Sequence, residues 1–262
     1  FSLNVKYFWG LSSSSSFGKL FSKQLMRHQL SIALETLQAA FFPSKLKVSG
    51  LAELKTFLQE HCQEEKGCII VTGHVGNWEL SGSSCAKVLD KKFSVLAKAS
   101  RYDLLNLFLE KLRRRLSMSV LWTERRSLLR DMIKTLHKGE SLGFVMDQKP
   151  QKRLGPKVSF CGIETEFVSG PAKLAMSLKL PVVAVYCIRQ GPRQYRLITE
   201  SIAKKDHNFI NELVLTQKLA SSIENMALTY PEQWCWNYKR WNEKSLVASP
   251  SFYAKRHVDS LR

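Results

Sequence analysis

From residue 68 onward, short apolar runs alternate with longer segments whose apolar residues recur at helical spacing. This alternation restricts the fold more than any other feature of the chain. Cys68–Thr72, Phe93–Ala97, Val120–Trp122, Leu142–Met146, Val182–Ile188 and Tyr195–Ile202 read as strands. Trp78–Leu89, Leu104–Leu116, Leu128–His137, Pro171–Leu180 and Phe209–Leu228 read as helices, three of them stopped by Gly139, Pro181 and Pro231. Strands that are apolar on both sides need cover on both sides. The expectation is an α/β fold with a mainly parallel central sheet flanked by helices. Upstream, Leu20–Phe42 and Leu51–Cys62 read as two further helices, which makes the N-terminal segment helical.

No repeat or internal linker divides this pattern. A single domain is expected over residues 20–245, between an apolar, Ser-rich segment at 1–19 and a tail at 246–262. The chain has 262 residues, 44% of them hydrophobic and 24% charged, which excludes wholesale disorder and collagen-like structure. Forty Lys and Arg against 22 Asp and Glu give a net charge of +18, which predicts an anionic partner of some kind. The six cysteines (62, 68, 85, 161, 187, 235) form no CxxC pair and no zinc spacing, and most lie in apolar runs. Buried, reduced thiols and a cytosolic-side compartment are expected. No stretch is long and apolar enough to span a bilayer. The chain opens at Phe1 rather than Met, so a processed or lost N-terminal anchor remains open.

In sheets of this kind ligands gather beyond the carboxyl ends of the strands. Polar residues stand at several such ends: Gly73 to Glu79 after the first strand, Lys98 and Arg101 after the second, Asp147 and Gln148 after the strand at 142–146, and Arg189. His74 and Glu79 are five residues apart, a spacing that separates them on one helix and on one strand alike. They can meet only where the chain changes structure. Gly73 and Gly76 permit a turn there, and Asn77 suits the N-cap of a helix starting at Trp78. Glu79 in a first helical turn stays ionised beside the positive end of the dipole. From there it would orient His74 and leave the other ring nitrogen to take a proton from an alcohol. The alternative is a structural histidine, with Glu79 only complementing the dipole.

The segment Val71-Thr72-Gly73-His74-Val75-Gly76-Asn77-Trp78-Glu79-Leu80 resembles the His-x4-Asp/Glu signature of the bacterial lipid A biosynthesis acyltransferases. Four further segments resemble the same family in the same order: Lys98–Asp103, Gly143–Gln148, Phe160–Val183, and Tyr230–Trp236 followed by Lys239-Arg240-Trp241. The resemblance runs over roughly residues 65 to 242, and more loosely from about 25. It implies a glycerolipid acyltransferase-like fold. It also implies transfer of a fatty acyl chain from acyl carrier protein or coenzyme A to a hydroxyl of a lipid A-type glycolipid, at the cytoplasmic face of the bacterial inner membrane. By position, His74 would be the general base, Glu79 its orienting partner and Arg101 a substrate-binding cation. Asn77, Asp147 and Gln148 would also be substrate-side residues. No cofactor or metal is implied beyond the thioester co-substrate, and an anionic membrane surface is the implied setting. Another membrane glycolipid or a phospholipid is the alternative acceptor. The basic loop Lys149–Lys157 and the reduced N-terminal segment depart from the family pattern.

Several features keep two readings. Arg113-Arg114-Arg115, Arg125-Arg126 and Lys149/Lys152/Arg153 are solvated faces, or docking points for an acidic carrier or lipid phosphates. On Leu104–Leu116, Leu105, Leu109 and Leu112 favour core packing over an interfacial helix. Trp234, Trp236, Tyr238 and Trp241 among cations could stack nucleobases, sit at a membrane or pack. A nucleic-acid-binding protein is the reading from a different class, yet no zinc spacing, RNP-like run or helix-turn-helix signature supports it. A serine lipid hydrolase lacks the G-x-S-x-G elbow. The histidines at 28, 61, 137, 207 and 257 receive no role.

Overall fold

The computed structural model of the chain describes residues 15–62, 67–89, 91–150, 155–204 and 211–241. The segment 1–14, residues 151–154 of the basic loop, His207 and the C-terminal tail lie outside them. Helix α1 (Ser16–Phe41) starts earlier than its apolar pattern, because the Ser15 hydroxyl accepts from the Gly18 N–H at 3.0 Å and caps it. Pro43 ends it. After a short strand β1 (Lys47–Ser49) and helix α2 (Leu51–His61), strands and helices alternate as expected. In order they are β2 (Ile69–Thr72), α3 (Trp78–Val88), β3 (Phe93–Ala97), α4 (Asp103–Arg115), β4 (Met118–Trp122), α5 (Leu128–His137) and β5 (Ser141–Val145). Then come a two-stranded hairpin, β6 (Lys157–Phe160) with β7 (Ile163–Glu166), then α6 (Gly170–Leu178), β8 (Val182–Gly191), β9 (Gln194–Ala203) and α7 (Glu212–Thr229).

The main sheet has seven strands in the order β1-β9-β8-β2-β5-β3-β4, with β8 and β9 antiparallel and every other pair parallel. Alternate side chains of its central strands feed two cores. Ile69, Val71, Val182, Ala184, Tyr186 and Ile188 pack on one face with α6, α7 and the C-terminal aromatic residues. Cys68, Ile70, Val183, Val185 and Cys187 pack on the other with α2 and α3. Each fully buried aliphatic side chain contributes about 1.5–3 kcal/mol. β2, buried along its whole length, is therefore a rigid base for whatever follows it.

Two expectations need correction. Cys62 and Cys68 are joined in a disulfide, their Cα atoms 5.2 Å apart. Cys85, Cys161, Cys187 and Cys235 are free thiols. Burial pushes Cys85 up to about 12, so it stays a neutral packing group. Strand β1 and the β6–β7 hairpin were not expected, since their short segments alternate with polar residues and carry no sustained apolar period.

Candidate active site

Beyond Thr72 the chain leaves the sheet through Gly73, His74, Val75 and Gly76 before α3 begins. Gly76 has φ +61°, and a Cβ there would lie 2.2 Å from the Cys187 carbonyl oxygen. Only glycine fits that turn. The turn is clamped from both sides: the Gly76 N–H donates to the Gln233 carbonyl at 3.1 Å, and the Asn77 N–H to the Cys187 carbonyl at 2.8 Å. Asn77 then caps α3, its Oδ1 accepting from the Leu80 N–H at 3.0 Å. Its amide nitrogen donates to Thr36 Oγ1 at 3.1 Å. Asn77 is fully buried, and these bonds make it a group that holds the turn in shape.

The parallel register of β2 and β5 sets Thr72 beside Val145 and, two residues on, His74 beside Asp147. The two side chains meet. His74 Nδ1 lies 2.6 Å from Asp147 Oδ1, and the His74 backbone N–H donates to Asp147 Oδ2 at 2.9 Å. The Trp234 indole N–H donates to the same Oδ2 at 2.7 Å. Burial alone would raise the Asp147 carboxyl. The neighbouring imidazole and the three donated hydrogen bonds outweigh it and hold the group at about 2. For His74, burial disfavours the charged ring, but the Asp147 carboxylate and its hydrogen bond, helped by the charge of Glu79, raise its pKa above the usual 6.5. An ionised carboxylate only accepts, so the ring carries its proton on Nδ1 and presents a lone pair at Nε2. The Gln148 side-chain nitrogen lies 3.4 Å from that Nε2, and the Trp78 ring packs edge-on at 4.8 Å.

The carboxylate expected to orient His74 is therefore Asp147 in place of Glu79. Glu79 does sit in the first turn of α3, but Arg113 of α4 takes it, with Nη2 at 2.6 Å from Oε1 and Nε at 3.1 Å from Oε2. Arg113 is thus no solvated charge. Arg101 is exposed at the end of β3, its guanidinium donating to the Tyr102 hydroxyl at 2.6 Å and stacked on that ring. The structure brings together His74, Asp147 and Gln148, and leaves Arg101 outside their hydrogen bonds. Trp234, which the sequence marked only as one of four aromatic residues among cations, is the partner that sequence reading missed.

The C-terminal aromatic segment packs inward. Trp234 and Trp241 are buried against Phe160 and Trp236 against Trp234, and Arg240 lies over Phe160 and Phe167. No indole face is left there for a nucleobase to stack on. A second polar layer supports the turn from behind. Glu35 of α1 accepts from Arg189 Nη2 at 2.8 Å, from the Arg193 N–H and from the Tyr195 hydroxyl, which also neighbours Asn77. Among the described residues no cluster of three or more His, Cys, Asp or Glu could hold a metal ion, and no helix is long and apolar enough to cross a membrane.

Residues 22–243 match the family model described as bacterial lipid A biosynthesis acyltransferase. No curated protein matches the chain.

Proposed function

Because the chain belongs to the bacterial lipid A biosynthesis acyltransferases and is on that ground an acyltransferase, we propose a specific reaction for it. It moves a fatty acyl chain from a thioester, on acyl carrier protein or coenzyme A, to a hydroxyl of a lipid A-type glycolipid. His74 is the general base and Asp147 the carboxylate that orients it. The observation carrying this reading is the imidazole held through Nδ1 by a buried, triply hydrogen-bonded carboxylate, with Nε2 left at the rim beside Gln148.

The hydroxyl hydrogen passes to Nε2 as its oxygen bonds to the thioester carbonyl carbon. The Asp147 charge stabilises the imidazolium that forms. The carbonyl electrons move onto oxygen, and the Gln148 amide is placed to donate to that oxyanion. When the C–S bond breaks, the electron pair leaves with sulfur and the proton on Nε2 goes to the thiolate. Nothing in this sequence needs a covalent enzyme intermediate. Glu79 and Arg113 tie α3 to α4 beside the site, and the Glu79 charge adds to the field that favours a protonated ring. Arg101, at the neighbouring strand end, is the proposed cation for a phosphate or carboxylate of the substrates. With a lipid acceptor, the enzyme would work at the inner-membrane surface on its cytoplasmic side.

Incubating the purified protein with mixed long-chain acyl thioesters and a membrane lipid extract, followed by mass spectrometry, tests this reading. An acyl mass gain on a phosphorylated glycolipid, lost in His74→Ala by roughly 10²–10⁴-fold, is expected. A gain on phospholipid alone moves the acceptor, and unchanged turnover in His74→Ala removes the base.

A further inference from the structure

Where the end of β8 meets α1, beside the backbone of the catalytic turn, lies a pocket of about 200 Å³. That is far more room than a single water needs. Its walls include Arg27 and His28 from α1, Arg189 and Gln190 from β8, and Glu232 and Gln233 from the segment after α7. None of these side chains has a part in the acyl transfer described above.

Donors converge on the pocket from separate elements. Arg27 is exposed and forms no ion pair among the described residues. Glu35 takes Nε and Nη2 of Arg189, at 3.1 and 2.8 Å, and leaves Nη1 unclaimed. His28 is 7% exposed, yet its Nε2 has no hydrogen-bond partner among the described residues. A buried polar atom left so is costly unless something outside the chain completes it. Burial first, and the Arg189 charge after it, oppose a second proton on this ring. An anion beside the ring relieves that opposition. Gln190 is skipped in the β8–β9 ladder, where Arg189 pairs with Tyr195 and Gly191 with Gln194. A bulge of this kind leaves the extra residue unpaired.

The one carboxylate on the lining, Glu232, accepts from Gln233 Nε2 at 3.3 Å. Two guanidinium groups against that one carboxylate give the lining a positive balance, and guanidinium forks match oxyanions. A planar carboxylate satisfies one fork. A tetrahedral oxyanion has oxygens for donors arriving from α1 and β8 together.

We propose that this pocket is a phosphate subsite, taking inorganic phosphate or the phosphate monoester of a substrate. It shares a wall with the catalytic turn. Gln233 grips Arg189 through both backbone groups, at 3.0 and 2.9 Å, and its own carbonyl accepts from the Gly76 N–H. Two residues on, the Cys235 N–H donates to the His74 carbonyl at 3.2 Å. A phosphate held here therefore lies against the backbone that carries the base. Only the assignment of a monoester to the acceptor rests on the glycolipid reading; the site itself does not.

The test is calorimetric titration of the full chain with inorganic phosphate and, separately, with glucose 1-phosphate, at constant ionic strength in chloride. Saturable binding of phosphate is expected, weakened roughly tenfold or more by Arg27→Glu and by Gln190→Glu. Arg130→Glu, the same charge reversal on the exposed face of α5, should leave it unchanged, and all three variants should melt like wild type. The His28 ring signals in the NMR spectrum should move as phosphate is added. Tighter binding of glucose 1-phosphate assigns the pocket to a substrate's phosphate, and equal or weaker binding assigns it to the free ion. A wild-type protein without saturable binding overturns the proposal, as do pocket variants that bind as well as wild type or a His28 signal that stays in place. So does an equal loss in Arg130→Glu, which would mean attraction to net charge alone. Lost transfer with intact phosphate binding in His74→Ala concerns only the catalytic reading.

Discussion

Asp147→Asn separates the two carboxylates that could serve His74. The substitution keeps size and shape but removes the charge, and it replaces one acceptor oxygen with an amide nitrogen. Asp147 now accepts from three donors, namely His74 Nδ1, the His74 N–H and the Trp234 indole. If the new amide nitrogen faces Nδ1, the ring must move its proton to Nε2, and the lone pair at the rim is gone. If the oxygen faces Nδ1, the tautomer survives but the imidazolium loses its counter-charge. Either way the contribution of general-base catalysis is at stake, about 10²–10⁴-fold in kcat/KM, or about 3–5 kcal/mol. The sign of the pH effect also follows. The raised pKa of His74 means that the free base, and with it the rate, appears only as pH climbs past a point above 6.5. Burial lowers that pKa, and without the Asp147 charge only Glu79 opposes it. The acid limb of any residual activity should therefore move to lower pH. The assay is kcat/KM against pH with a soluble acyl thioester, alongside Glu79→Gln, which should move the limb far less because its hydrogen bonds go to Arg113. Near-wild-type rate and limb in Asp147→Asn, with both shifted in Glu79→Gln, would refute the assignment.

Trp234→Phe removes one of the three donors to Asp147 while keeping most of the ring. A neutral hydrogen bond contributes ~1 kcal/mol and one to a charged group about 1.5–3, so roughly a tenfold fall in kcat/KM is expected from steady-state kinetics, with the fold intact by circular dichroism. Gly76→Ala puts a methyl against the Cys187 carbonyl in a left-handed conformation that costs ~1–2 kcal/mol before any clash. Its melting temperature should drop by several degrees, or no folded protein should be recovered. Burial, the largest cause, lowers His28 to about 4, so the unfolded chain binds a proton more readily than the folded one between that value and 6.5. Stability should fall as pH drops through this window, by at most about 3 kcal/mol from this group. Urea denaturation at both ends of the window should show the loss, and His28→Gln should remove most of it.

The boundaries of most helices and strands were legible because they report local preferences. Leu128–His137 and Phe93–Ala97 stand where the apolar periods place them, and Asn77 caps α3 as its side chain and position suggest. Gly76 takes the left-handed turn that the glycine allowed. The ordered motifs carried the family as well. Less was legible at the site. The spacing of His74 and Glu79 said that they could meet across a turn, and the turn exists. Yet Glu79 turns to Arg113, whose own neighbours in sequence offered only a run of arginines.

Local chemistry along the chain dictated a parallel sheet, covered on both faces, with a histidine at the mouth of its first inner strand. It could not dictate that β5, which begins 69 residues after β2 ends, would lie next to β2, with Ile69 beside Leu142 and Thr72 beside Val145. Strand order is set by how crossovers pack, and no periodicity records it. Folding alone placed Asp147 alongside His74 and swung Trp234 in from the far end of the chain to hold it. A carboxylate that is one polar residue among 22 acidic ones in the sequence thereby becomes the group that sets the imidazole's tautomer.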